Sequence, residues 1–193
     1  MNEVAFGMGR LLLECAVLSA EPFLQDMRRH IRPFVARHEP RGQLLIHLKS
    51  GSGAVVGMGL VGALSSLIHL PLLIAPFGAT AVLLFGQPSS PLAQPINVFG
   101  GYVLAAAIAV LAVTVFPGSL FMTALAVGLV IALMLAFRIT HPPAGAIPIV
   151  AAASPFSPGS LFAVVLIGSA SLVAFAVLHH RLPPRHEYPR RPQ

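Results

Sequence analysis

The sequence predicts an all-α polytopic membrane protein with four long transmembrane helices and two short Pro/Gly-started segments, arranged in two sequence-related halves. Three observations predict it. Apolar residues make up 56% of the 193 positions and charged residues only 9%, with a mean hydropathy of +0.84, whereas a soluble domain carries about a quarter charged residues. No Asp, Glu, Lys or Arg lies between Lys49 and Arg138, or between Arg138 and Arg181. Such runs exceed the roughly 20 apolar residues of one crossing, so the chain must fold back several times. Finally, the apolar run is interrupted twice, at matching places, by Pro and Gly.

Each segment follows in order. Residues 1–20 mix apolar side chains with Arg10 and Glu14, spaced i, i+4 to pair on a helix. Two central charges make a crossing costly, so a helix in the membrane interface is expected. Residues 21–50 are polar and basic and carry Pro22, Pro33 and Pro40, a cytoplasmic approach to anionic headgroups. The first long span is 52–70, with Gly53 and Gly57 in a GxxxG pair that permits close helix approach. Residues 72–86 are a short segment broken by Pro76 and Gly78, and a polar, Pro-rich loop runs from Gly86 to Pro95. Long spans follow at 98–116 and 119–137, joined by the turn Pro117-Gly118-Ser119. The second of these carries Ala124, Gly128, Ala132 and Ala136 at four-residue spacing, an expected packing face. A second short segment, 141–153, opens on His141, Pro142 and Pro143; the last long span is 161–179, and the tail 181–193 is basic.

A shift of about 67 positions superimposes these pieces in order, as internal repeats do. Gly51-Ser52 falls on Gly118-Ser119, Pro76-Phe77-Gly78-Ala79 on Pro143-Ala144-Gly145-Ala146, and Pro88, Ser90 and Pro91 on Pro155, Ser157 and Pro158. The halves are 51–116 and 118–179. The basic residues sit at the two ends, so the positive-inside rule places both termini in the cytoplasm, with the chain in the plasma or inner membrane. The short segments either cross as bent helices, giving six crossings, or re-enter, giving four. A fifteen-residue helix rises only about 22 Å against a core near 30 Å, which favours re-entry or a strongly bent crossing.

Paired Pro/Gly-broken segments in matching places point to a transport site. Irregular backbone at membrane depth needs a protein-lined cavity, and helix starts there leave N–H groups unpaired. Residues 50–180 contain no carboxylate, and their ionisable groups are Arg138, His69, His141, His179 and His180. That inventory favours a small anion over a cation. The candidate binding residues are Pro76, Phe77, Gly78, Thr80, Asn97, Arg138, His141, Pro142, Pro143 and Gly145. His141 is either a donor or proton carrier at a half-helix start or a helix-boundary residue hydrogen-bonded to backbone at the headgroup level. Arg138 either binds anion or snorkels from the end of its span. His69 reads as a polar anchor, and His179 and His180 as interfacial. No metal set, cofactor motif or nucleophile–base pair is legible, so neither a metal nor a cofactor nor enzyme activity is expected. The single Cys15 forms no internal disulfide, and no cleavable leader or nucleic-acid motif stands out. The expected partners are the lipid bilayer, a small anionic solute and, through the small-residue faces, further copies of the chain.

The strings Ala75–Phe85, Ser90–Gly101 and Thr140–Val150 resemble the signature blocks of the HPP family of integral membrane proteins, named for the triplet seen here as His141, Pro142 and Pro143. The resemblance covers roughly 45–180 and implies a four-helix membrane domain. Some members are associated with nitrite transport, which implies a small monovalent anion as solute. Family members commonly have Arg where this chain has Ile96 and His where it has Tyr102. The expected function is a transporter or channel for a small solute, most simply an anion such as nitrite. The alternative is a non-transporting scaffold or regulatory subunit that uses its small-residue faces to bind partner helices.

Overall fold

The computed structural model describes residues 25–37, 42–154 and 156–191. The chain divides into two units, Met1–Gly42 and Gln43–Gln193. In the first unit the described residues form one helix, α1, over 25–35. The expected interfacial helix at 1–20, with Arg10, Glu14 and Cys15, lies outside the described residues.

The second unit is a helical bundle. Helix α2 (Leu44–Ile68) ends at His69, which takes a left-handed conformation at φ 54°. The following residues are extended and hydrogen-bonded in tight i to i+2 turns, Leu72 to Leu70 and Ile74 to Leu72. Ser65 ties this run back to α2: its hydroxyl donates to the Leu70 carbonyl and accepts from the Leu72 N–H. Helix α3 (Ala75–Ala81) then starts with Pro76 in its first turn, where a missing N–H is no loss, and widens into a π-helix at Val82–Gly86. A 3₁₀ turn, Pro91–Ala93, leads to α4 (Pro95–Val115). Gly118, at φ 73°, makes the sharp turn into α5 (Leu120–Ala136). A second 3₁₀ turn, Pro142–Ala146, continues as α6 (Ile147–Ala153), and α7 (Pro158–Arg181) closes the bundle.

Among the described residues three helices are long and apolar enough to cross a membrane: Leu44–Ile68, Pro95–Val115 and Pro158–Arg181. The expected fourth, α5, has 17 residues. It is cut short by a Schellman-type end in which the Ile139 N–H bonds the Met134 carbonyl and the Arg138 N–H bonds that of Leu135. Arg138 occupies the left-handed position of that motif, at φ 58°.

Side-chain contacts fix the direction of each pass. The start of α2 meets the end of α7, where Lys49 Nζ donates to the Leu182 carbonyl at 2.7 Å. The end of the π-helix lies at the same level, with the His180 ring donating to the Leu84 carbonyl at 2.7 Å. The chain therefore returns through its first short segment rather than looping back to the far end. The start of α4 meets the end of α5 through Asn97, whose amide donates to the Thr140 carbonyl at 3.0 Å. The second short segment runs the opposite way, from that end towards the start of α7. Of the two expectations, re-entry or a strongly bent crossing, these contacts fit the bent crossing. The seven residues of α3 and five of the π-helix rise only about 18 Å. The run 70–74, drawn in by its two tight turns, adds to that length.

The packing faces also differ from expectation in one helix. Gly53 and Gly57 are buried against Phe85, as the GxxxG pair predicts. On α5, however, Ala124, Gly128, Ala132 and Ala136 all point out of the bundle. The stripe that packs is Ala126, Val130 and Met134. Val130 and Met134 join the same buried core as Ala105, Ala106 and Ala109 of α4.

Candidate polar site between the two broken segments

Where the two short segments meet, three polar side chains from three elements touch inside the bundle. Thr80 on α3 lies 2.7 Å from the Tyr102 hydroxyl on α4 and 2.9 Å from Nε2 of His141, which precedes the second 3₁₀ turn. All three residues are fully buried. His141 Nδ1 is 2.9 Å from the Leu92 carbonyl. A carbonyl only accepts, so Nδ1 carries the proton and donates. In the neutral ring Nε2 then accepts from the Thr80 hydroxyl, and Thr80 Oγ1 accepts from Tyr102. The order of donors runs Tyr102 to Thr80 to His141 to Leu92.

Thr80 has a second acceptor in reach, the Pro76 carbonyl at 3.1 Å. If His141 gains a proton, Nε2–H donates to Thr80, and the Thr80 hydrogen turns to Pro76. One hydroxyl rotation thus accommodates both charge states of the imidazole without leaving a buried polar atom unpaired.

Packing holds this cluster in place. The Phe77 ring meets Tyr102 edge-on at 5.3 Å, and Tyr102 meets the His141 ring at 5.2 Å. Two glycines make room. A Cβ on Gly101 would lie 2.8 Å from His141 Cβ, and one on Gly168 would lie 2.0 Å from the Phe77 ring. Beside the cluster, Pro76 and Ala79 of the first segment and Pro142, Pro143 and Ala146 of the second line an open, almost wholly apolar groove of about 550 Å³.

Of the ten candidate residues, the structure brings Thr80 and His141 into contact, packs Phe77 against the cluster and places Pro76, Pro142 and Pro143 on the groove. Asn97 sits nearby, bonded to the backbone that leads into His141. Gly78 is exposed with nothing within 4 Å of its would-be Cβ, and Gly145 faces Ile131 at 3.9 Å. Arg138 is exposed and ends α5. Sequence reasoning about the site missed Tyr102 and the Leu92 carbonyl. Tyr102 carries the lone ionisable side chain of α4, a signal that pointed to it. Nothing in the sequence marked Leu92.

A second polar cluster lies at the end of the bundle. His179 and His180, expected at the interface, are 7% and 2% exposed: His179 packs between Phe85 and Phe175, and the tail folds over His180. The His180 ring faces His186 and Tyr188 at 5.8 and 5.6 Å. Among the described residues no three His, Cys, Asp or Glu side chains are placed to share a metal ion.

A bundle of apolar helices that exposes large aliphatic side chains such as Val55, Leu120 and Leu135, and buries a small polar cluster, is that of an integral membrane protein. The chain belongs to the HPP family: the family model described as "HPP, transmembrane region" matches residues 39–189. It is similar to two transmembrane proteins of Dictyostelium discoideum. One is 42% identical over 82 residues, which are 40% of this chain and 29% of that protein. The other is 32% identical over 125 residues, 61% of this chain and 40% of that protein. The chain thus matches well under half the length of either relative. No solved structure matches it.

Proposed function

We propose that this protein moves a small solute across the membrane, a small anion such as nitrite, and that it is not an enzyme. One observation carries the reading: two broken segments, running in opposite directions, meet at the buried Thr80–Tyr102–His141 cluster. This is the arrangement of inverted repeats around a midplane site, and the two halves 51–116 and 118–179 are such a pair. His69 and Arg138 support it, because each left-handed residue ends the first long helix of its half. The sign of the solute rests on the lack of any carboxylate between residues 43 and 186. His141 acts as donor and proton carrier, and the Thr80 hydroxyl resets its partners. Both termini face the cytoplasm.

A scaffold is the second reading, and the tight packing favours it: the cluster is fully buried and its hydrogen bonds are satisfied within the chain. Flux separates the two. Purified full-length protein in liposomes should take up nitrite or nitrate faster than empty vesicles, Thr80→Val should abolish the gain, and Thr80→Ser should keep it. Flux of cations alone overturns the anion assignment, and no flux of any solute leaves the scaffold reading standing.

A further inference from the structure

Helix α1 lies apart from the transport question and presents a surface of its own. Its apolar residues Met27, Ile31, Phe34 and Val35 recur at helical spacing, within one sector of about 100°. None is covered: their exposures are 41%, 47%, 89% and 68%. Arg28 and Arg32 follow Met27 and Ile31 by one position each and so border this stripe on one side, while Arg29 lies on the opposite face. Asp26 is the one acidic residue of the helix, and it is taken up by His30 one turn later, 3.5 Å away. An apolar stripe bordered by arginines is the pattern of a helix lying in a lipid interface.

We infer that α1 is a lipid-binding helix that inserts Phe34 and its apolar neighbours into the acyl boundary of a membrane surface bearing anionic headgroups. Charge decides the occupant. The arginines demand negative partners, and each basic residue near an anionic surface contributes about 1 kcal/mol. Length supports it too. The residues 36–43 between α1 and α2 reach at most about 30 Å when fully extended. Because α2 is a membrane-crossing helix, α1 never leaves the neighbourhood of a bilayer, and insertion carries little loss of translational freedom.

The test uses the full chain with Cys15→Ser and an environment-sensitive fluorophore on Phe34→Cys or, separately, Val35→Cys. The protein is reconstituted in phosphatidylcholine alone or with added phosphatidylglycerol. The expected result is a blue shift and protection from an aqueous quencher in the anionic vesicles, reversed by raising the salt concentration. The combined change Arg28→Gln, Arg29→Gln, Arg32→Gln should remove the protection. A label that remains quenchable in anionic vesicles overturns the inference. So does protection that is equal in both lipids and indifferent to salt, which marks a protein surface, such as a second copy, as the occupant.

Discussion

Thr80 is the residue on which the interior turns, because one hydroxyl serves Tyr102, His141 and the Pro76 carbonyl. Threonine reads in a sequence as an ordinary helix residue, and only the approach of three elements gives it this work. Phe77 shows the same dependence from the packing side. Its ring occupies the space that a side chain on Gly168 would need, with ring atoms 2.0 and 2.4 Å from a built Cβ. The Gly168→Ala substitution should therefore overpack the interior by about 1–3 kcal/mol and lower the melting temperature in detergent. Gly78→Ala should be neutral or slightly stabilising, because its position is open and helical. If Gly78→Ala instead abolishes flux at unchanged stability, the close approach of a ligand to its backbone gains support.

At the scale of elements, the Pro and Ser signals translated directly into structure. Ser90, Ser119 and Ser157 each accept a backbone N–H at the start of a helical turn, and Pro91 and Pro158 follow two of them in the first turn. The lengths of the short segments left re-entry and a bent crossing both open, because a helix count omits the residues 70–74 that precede α3. The tail was equally hidden: it reads as a basic end, yet it is strapped across the loop 86–94. The Tyr188 hydroxyl donates to the Ala93 carbonyl at 2.9 Å, and the Arg190 guanidinium to that of Ser89 at 3.0 Å. Burial pushes the Tyr188 phenol above its ordinary 10.0. The raised value means that the folded tail holds the proton longer than the free chain does. Its contribution is complete below about pH 10 and declines as the pH rises beyond. A spin label on Arg185→Cys should thus gain mobility only above that pH. Tyr188→Phe should weaken the strap by about 1 kcal/mol and remove this alkaline step.

Over the whole second unit, the decisive feature among the described residues is the alternation of long and short apolar segments, with the loop 86–94 gathered beside the start of α2 and the end of α7. With Cys15→Ser as background, a cysteine at Ser89 should react from the same side of the membrane as one at Arg185, and one at Gly118 from the other. Labelling of Ser89 from the side opposite Arg185, with Gly118 on the side of Arg185, would return the chain to four crossings with re-entrant loops. The family and the membrane class were legible in advance, since blocks such as Thr140–Val150 and the charge-free runs are local properties of the chain. The polar site was half legible. His141 and Thr80 stood out as polar residues in apolar surroundings. Their partners Tyr102 and Leu92 lie 39 and 49 positions from His141; Tyr102 is marked only as the lone ionisable side chain of α4, and Leu92 carries no local mark.

By itself the sequence determined that this chain lives in a bilayer as helices, where the helices break, and that its interior carries no acid. Those follow from transfer free energies and backbone chemistry, which act residue by residue. Tertiary structure decided which stripe of α5 packs, that the first short segment ends beside the end of α7, and that Thr80, Tyr102 and His141 meet. Each of these depends on how glycines such as Gly101 and Gly168 let separate helices approach, a property of pairs of surfaces that no single stretch of sequence holds.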